Sequence, residues 1–305
     1  MRLDLLGVRG STAAPGREFV RYGGHTSCVA VTPDGSDVPT LVLDAGTGLR
    51  TLTGRLGGRA YDGAILLSHL HWDHVQGLPF FAGGDRDDAR VDLYVPAQDG
   101  AEGRDLLAQT LSPPAFPITP EGLDGRWRFR AWYGGPREVE GFCVRAVDVA
   151  HKGGRTFAHH VERDGASLVY LPDHAPAAGI SPALVDLLDG VDLLIHGAQF
   201  LDSEQPAAVD SGHATVEEAV SLAVACGAGA LLLFHHSPGR TDDALDQIAA
   251  WSADLAPGFP VAVAREGDVI QVAQEQARTS LLDHRQEGVD TEAQIRPGRP
   301  HVTTR

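Results

Sequence analysis

The sequence predicts an α/β fold, and three observations predict it. Apolar runs of strand length recur along the chain, helical patterns fall between the later runs, and most runs close in a histidine or an aspartate. Strands alternating with helices are the pattern of an α/β architecture. One large domain is expected over residues 1–274, followed by a loosely attached tail, 275–305, in which acids and arginines intermingle.

The strands read in order as "TLVLDAG" (40–46), "AILLSH" (64–69), "VDLYVP" (91–96), "FCVRAVDVAH" (142–151), "SLVYLPD" (167–173), "DLLIHG" (192–197), "ALLLFHH" (230–236), "VAVARE" (261–266) and "VIQVAQ" (269–274). Each is too short for a helix and rich in β-branched or aromatic residues. In "ATVEEAVSLAVACG", Val216, Ala219, Val220, Ala223 and Val224 fall on one helix face. Thr215 and Glu218 form a capping box at its start. A second helix is expected from Thr241 to Leu255, opening on two aspartates that suit a helix N-terminus. Residues 79–127, rich in Pro, Gly and Asp, are expected to be an insertion or lid.

Composition narrows the class. The chain has 305 residues, 43% hydrophobic, so a sizeable core is expected. Formal net charge is −16, which argues against general attraction to nucleic acid. No run of eighteen apolar residues occurs and no membrane partner is expected. "MRLDLLGVRGS" turns polar too soon for a secretory signal, so a cytoplasmic location is expected. Cys28, Cys143 and Cys226 are far apart, without CxxC spacing, and read as packing residues.

The chemistry concentrates where strands end. Asp44, His69, His151, Asp173, His196 and His235 all close predicted strands. In α/β proteins ligands bind outside the carboxyl ends of strands, so these distant residues are expected to meet at one edge. "HLHWDH" (69–74) adds His71, Asp73 and His74. On an extended segment His69 and His71 point the same way and reach one ion, while Asp73 and His74 lie where the chain turns and suit a second. Imidazole and carboxylate donors suit zinc, and also manganese or iron.

"HLHWDH" resembles the signature of the metallo-β-lactamase superfamily, and the likeness runs over roughly residues 1–270. The resemblance implies an αββα sandwich of two mixed sheets flanked by helices. It implies that His69, His71 and His151 hold one divalent ion, that Asp73, His74 and His235 hold another, and that Asp173 bridges them. Asp44 matches an aspartate that stands behind the ligands. Two ions, zinc foremost, would lower the pKa of a bound water and polarise the bond it attacks, giving hydrolysis by an activated hydroxide. Redox members read HxExD where this chain has His71, which favours hydrolysis.

Further motifs resemble the ribonuclease Z and cyclic-phosphate phosphodiesterase branch. "GHAT" (212–215) is similar to its GHST-type motif, which makes His213 a catalytic candidate beside Asp73. "GVRGS" with "RYGGHTSC" (7–28), "HGAQF" (196–200) and "FHHSPGRTDD" (234–243) fit the same branch. Arg9 is placed near a phosphate, and His196 beside the site. There are departures: Ala158, His159 and His160 stand where Gly-Tyr-Arg is usual, so His160 is a candidate replacement for a phosphate-facing arginine. Gly197 replaces an acid that orients the catalytic histidine, and His25 replaces Asn. No basic tRNA-gripping arm is evident. The expected partner is therefore a small phosphodiester, cyclic ones included, with no general nucleic-acid binding; a homodimer fits the branch. The alternative is a carboxyl-type hydrolase of the same superfamily, acting on a lactone, thioester or β-lactam. Among the remaining residues, His174 and His236 follow ligands and point away from the ions, and His284 and His301 lie in the tail. Phe80, Phe81, Phe116 and Trp127 either pack or offer a surface on which a base can stack.

Overall fold

A computed structural model describes residues 1–98 and 100–273. Their fourteen strands are β1 (Arg2–Gly7), β2 (Cys28–Thr32), β3 (Leu41–Leu43), β4 (Asp62–Leu66), β5 (Arg90–Pro96), β6 (Arg126–Trp132), β7 (Gly135–Val139), β8 (Phe142–Val149), β9 (Thr156–Arg163), β10 (Ala166–Leu171), β11 (Leu193–Gly197), β12 (Leu231–Phe234), β13 (Val261–Val263) and β14 (Val269–Gln271). They form two seven-stranded sheets, ordered β14-β1-β2-β3-β4-β5-β6 and β13-β12-β11-β10-β9-β8-β7. Each sheet is mixed. The first is antiparallel from β14 to β3 and parallel from β3 to β6. The second is antiparallel from β7 to β10 and parallel from β10 to β13.

Alternation along the strands builds three layers of core. Leu41 and Leu43 on β3, Leu168 and Tyr170 on β10, Leu193 and Ile195 on β11, and Leu232 and Phe234 on β12 face the space between the sheets. Their neighbours Val169, Leu194, Leu231 and Leu233 face the opposite side, where Leu184, Leu187, Ala219, Val220, Leu245 and Ile248 cover them. Those come from the helices α4 (Pro182–Leu188), α6 (Val216–Ala225) and α7 (Asp242–Ser252). Behind the first sheet, Val42 and Ile65 pack with Leu49, Leu52, Val75 and Leu107, from α1 (Leu49–Arg55), α2 (Trp72–Val75) and α3 (Gly103–Ala108). The remaining helix, α5 (Gln205–Ser211), leads toward α6. The expected αββα sandwich is the fold.

The capping box of α6 is present: Glu218 N donates to Thr215 Oγ1 at 3.1 Å, and Thr215 N donates to Glu218 Oε2 at 2.9 Å. Its buried face takes Leu222 in place of Val224, which is 48% exposed. Residues 79–127 are not one excursion, because the interior strand β5 runs through them. Between β5 and β6, the stretch from 100 to 125 carries α3. The expected tail, 275–305, with His284 and His301, lies outside the described residues.

Candidate metal centre

The parallel halves of the two sheets bring their carboxyl ends to one edge, and the candidate ligands follow those ends. Asp44 follows β3, His69 follows β4, Asp173 follows β10 and His235 follows β12. Two of these turns are tight enough to put a non-glycine residue at positive φ, Asp44 at 58° and His235 at 54°. Such backbone persists only where the surroundings hold it, and it concentrates at functional sites.

The structure gathers all seven predicted ligands. His69, His71 and His151 form one group of donor atoms, and Asp73, His74 and His235 a second. Asp173 stands between them. Its Oδ2 is 3.0 Å from His74 Nε2, 3.4 Å from His235 Nε2 and 4.0 Å from His69 Nε2. Within the groups, His151 Nε2 lies 3.3 Å from His71 Nδ1, and His235 Nε2 lies 3.1 Å from Asp73 Oδ2. Donors about 2.0–2.2 Å from a shared tetrahedral centre stand about 3.3–3.6 Å apart, so this spacing is close to the edges of a coordination shell.

The unsatisfied atoms of the site point the same way. His69 Nε2 and both Asp173 oxygens are buried without an aligned hydrogen-bond partner. Buried polar atoms left so are costly unless a cation takes them up. Asp44 accounts for the tautomer of His74. Its Oδ2 accepts from His74 Nδ1 at 2.7 Å and from Tyr170 Oη at 2.9 Å, and its two oxygens accept from Ser68 N at 2.6 Å and Ser68 Oγ at 2.8 Å. With Nδ1–H committed to Asp44, a neutral His74 turns its Nε2 lone pair toward Asp73 and Asp173. A cation between them would satisfy that arrangement.

Electrostatics agree. Burial opposes charge on His74, but Asp73, Asp44 and Asp173 outweigh it and hold its pKa well above the ordinary value. Burial would likewise raise Asp173 and Asp73, yet the histidines around them hold both well below the usual carboxylate range. Burial, with the neighbouring His74, pushes His69 well down. Burial takes His151 to about 4. Near neutral pH the site therefore presents carboxylates at Asp73 and Asp173 and neutral imidazoles at His69, His71 and His151, while His74 holds a proton that an ion among these carboxylates would displace.

His213 joins the cluster through Nδ1, 3.0 Å from Asp173 Oδ1, with its ring 5.0 Å from that of His151. Asp173 thus places a carboxylate beside it, where Gly197 supplies none. Gly197 itself has a local cause: a Cβ there would lie 2.0 Å from the Pro172 carbonyl oxygen. An open cleft of about 340 Å³ is lined by Ser11, Trp72, Asp73, Asp173, His213 and His235, among others. Ser11 escaped sequence reasoning; its N–H donates to Asp73 Oδ2 at 2.7 Å, and Gln199 Nε2 donates to its hydroxyl at 3.1 Å. The signal was present in "RGS", since a Cβ at Gly10 would lie 2.3 Å from the His235 ring.

Several predicted contacts lie elsewhere. Arg9 does not reach toward a phosphate position. It is fully buried, donating to the carbonyl oxygens of Gly23 at 2.7 Å and Arg240 at 2.6 Å, and it pins the N-terminal loop to the loop after His236. His160 faces away: alternation on β9 puts His159 on the inner side, donating to Leu67 O at 3.1 Å, while His160 lines a separate cavity with Arg145 and Glu162. His196 is buried one shell behind, 3.3 Å from His174, which follows Asp173. His236 points away from the ligands as expected and donates to Ala264 O at 2.9 Å.

This fold and this cluster define a class. The chain matches the β-lactamase superfamily domain over residues 40–236, and it belongs to that superfamily. Its relatives include a ribonuclease Z from Natronomonas pharaonis, 25% identical, with 89% of this chain and 98% of that protein covered. Among solved structures, the metallo-β-lactamase fold protein YhfI from Bacillus subtilis matches with a TM-score of 0.67 at 20% identity, covering 88% of this chain and 99% of that one. The short form of human tRNase Z matches with a TM-score of 0.60 at 22% identity, covering 90% and 100%. At those identities the two structures show the shared fold. The ribonuclease relatives overturn one expectation, that of a small-molecule partner with nucleic acid set aside. Net charge sums the whole surface, whereas a phosphate is met by the few groups around the site. No helix among the described residues is long and apolar enough to cross a membrane.

Proposed function

We propose that this chain is a metal-dependent phosphodiesterase whose substrate is RNA. His69, His71 and His151 would hold one divalent ion and Asp73, His74 and His235 a second, with Asp173 shared; zinc suits these donors first, and manganese or iron also fit. Ions held there supply Lewis acidity and lower the pKa of a water. The protein's own residues do the rest. Asp44 fixes the His74 tautomer, and Ser11 N–H steadies Asp73. His213, with Nδ1 beside Asp173, lines the cleft, and its doubly protonated ring would donate a proton from the other nitrogen to a phosphate oxygen or leaving group. In this reading residues 1–274 act as one domain.

The observation that carries the reading is Asp173 standing between two triads with His213 against it, at a site whose relatives are named for RNA cleavage. The test is turnover by metal-loaded protein of bis-p-nitrophenyl phosphate and of an RNA with a 3′ extension, beside a lactone and a thioester. Hydrolysis of the diesters is expected. Turnover of the lactone or thioester alone would overturn it.

A further inference from the structure

A second cavity, of about 300 Å³, lies beside the metal centre, and the chemistry above makes no use of it. Trp72 joins the two spaces. It sits between His71 and Asp73 in sequence, is 55% exposed, and lines both the metal cleft and this cavity. Across from it Phe80 and Phe116 meet edge to face, with ring centroids 5.9 Å apart and planes at 87°. Phe80 is 61% exposed, although it lies in a wall where an apolar ring would ordinarily be covered.

The polar groups are few. Gln76 can hydrogen-bond to a ligand, the Thr47 hydroxyl being held by Thr26 and His25, and Arg50 is the single charged residue of the lining. No carboxylate lines the cavity, in a chain whose net charge is −16. An acid-free, aromatic space with one arginine is the kind of place where an acidic protein can accept part of a polyanion.

We infer that this cavity is a subsite for the nucleobase next to the phosphate being cleaved, with Trp72, Phe80 and Phe116 as the aromatic surfaces. Unstacked bases are recognised on aromatic side chains, with hydrogen bonds to their edges from a few polar groups. A space of this size falls at the lower end of small-ligand pockets. Its continuity with the metal cleft through Trp72 fixes which base it takes. The inference rests on the phosphodiesterase reading, and the experiment separates the two.

The full-length, metal-loaded protein is given two diesters with the same leaving group, the p-nitrophenyl ester of uridine 5′-monophosphate and methyl p-nitrophenyl phosphate. Base stacking on an aromatic predicts a kcat/KM about 5- to 160-fold higher for the uridine ester. That ratio falls toward one in Phe80→Ala and Phe116→Ala; Phe80 is exposed enough that its removal spares the fold. Independently of turnover, uridine 5′-monophosphate quenches tryptophan fluorescence in the metal-free protein, and Trp72→Leu abolishes the quenching. Cleavage of neither ester sinks the phosphodiesterase reading while the quenching still reports on the subsite. A ratio near one, a ratio unmoved by both Phe variants, or no quenching overturns the subsite.

Discussion

Asp44→Asn probes how far one buried carboxylate governs the metal centre. Asparagine tolerates the 58° φ of this position better than most residues, and its shape is that of aspartate. What changes is hydrogen bonding. Four donors converge on Asp44: Ser68 N, Ser68 Oγ, His74 Nδ1 and Tyr170 Oη. An amide keeps one accepting oxygen and turns an NH2 toward the rest. The hydroxyls of Ser68 and Tyr170 can rotate to accept. His74 can accept only by moving its proton from Nδ1 to Nε2, the nitrogen that faces Asp73 and Asp173. The ligand would then present N–H where a lone pair is needed. Losing a partner that orients a ligand costs about 10- to 100-fold in metal affinity, or about 1.4–2.7 kcal/mol. Competition against a chromogenic chelator at neutral pH reads the affinity, with circular dichroism to check the fold. A folded variant that holds metal as tightly as wild type would refute the reasoning.

Three other perturbations follow from the same geometry. His213→Gln should lose about 10²-fold or more in diester turnover with metal content intact; wild-type turnover would remove the ring from the chemistry. Burial lowers the His196 pKa to about 4, against about 6.5 in an unfolded chain. Between those values the unfolded chain binds a proton that the folded one does not, so stability falls as pH falls, by about 2 kcal/mol at pH 5. His196→Asn should therefore flatten the loss of thermal stability between pH 7 and 5, and an unchanged slope would count against it. Gly197→Ala would push a Cβ to 2.0 Å from Pro172 O, costing about 1–3 kcal/mol, read as a lower urea midpoint.

The gathering of the ligands was legible because their chemistry lies in residue type and in position at strand ends. His69, His71, Asp73 and His74 sit in six residues, the parallel half of the second sheet brings Asp173 and His235 to the same edge, and His151 reaches it from the end of the antiparallel strand β8. Five strands, β1, β2, β6, β7 and β9, fall outside the expected runs, and of these β2, "CVAVT", is short but apolar. On β6, Arg128 and Arg130 alternate with aromatics and pair with Asp92 of the neighbouring strand, so no apolar run marks it. β7 is a largely exposed edge, β9 carries His159, His160 and Glu162, and β1 holds a buried Asp4. Direction was also hidden. Arg9 reads like a phosphate contact until its guanidinium is seen to be buried against carbonyl oxygens and Asp242, and His160 like a site residue until β9 fixes which face it takes. The partner was misjudged because a sum of charges carries no information on where the acid-free surface lies.

The most direct measurement is the metal content of the purified, reconstituted chain by elemental mass spectrometry, for wild type and for His151→Ala. Two ions per chain in the wild type and one in the variant are the predicted result. A wild-type chain that retains no metal, or a His151→Ala chain that retains two, would contradict the account.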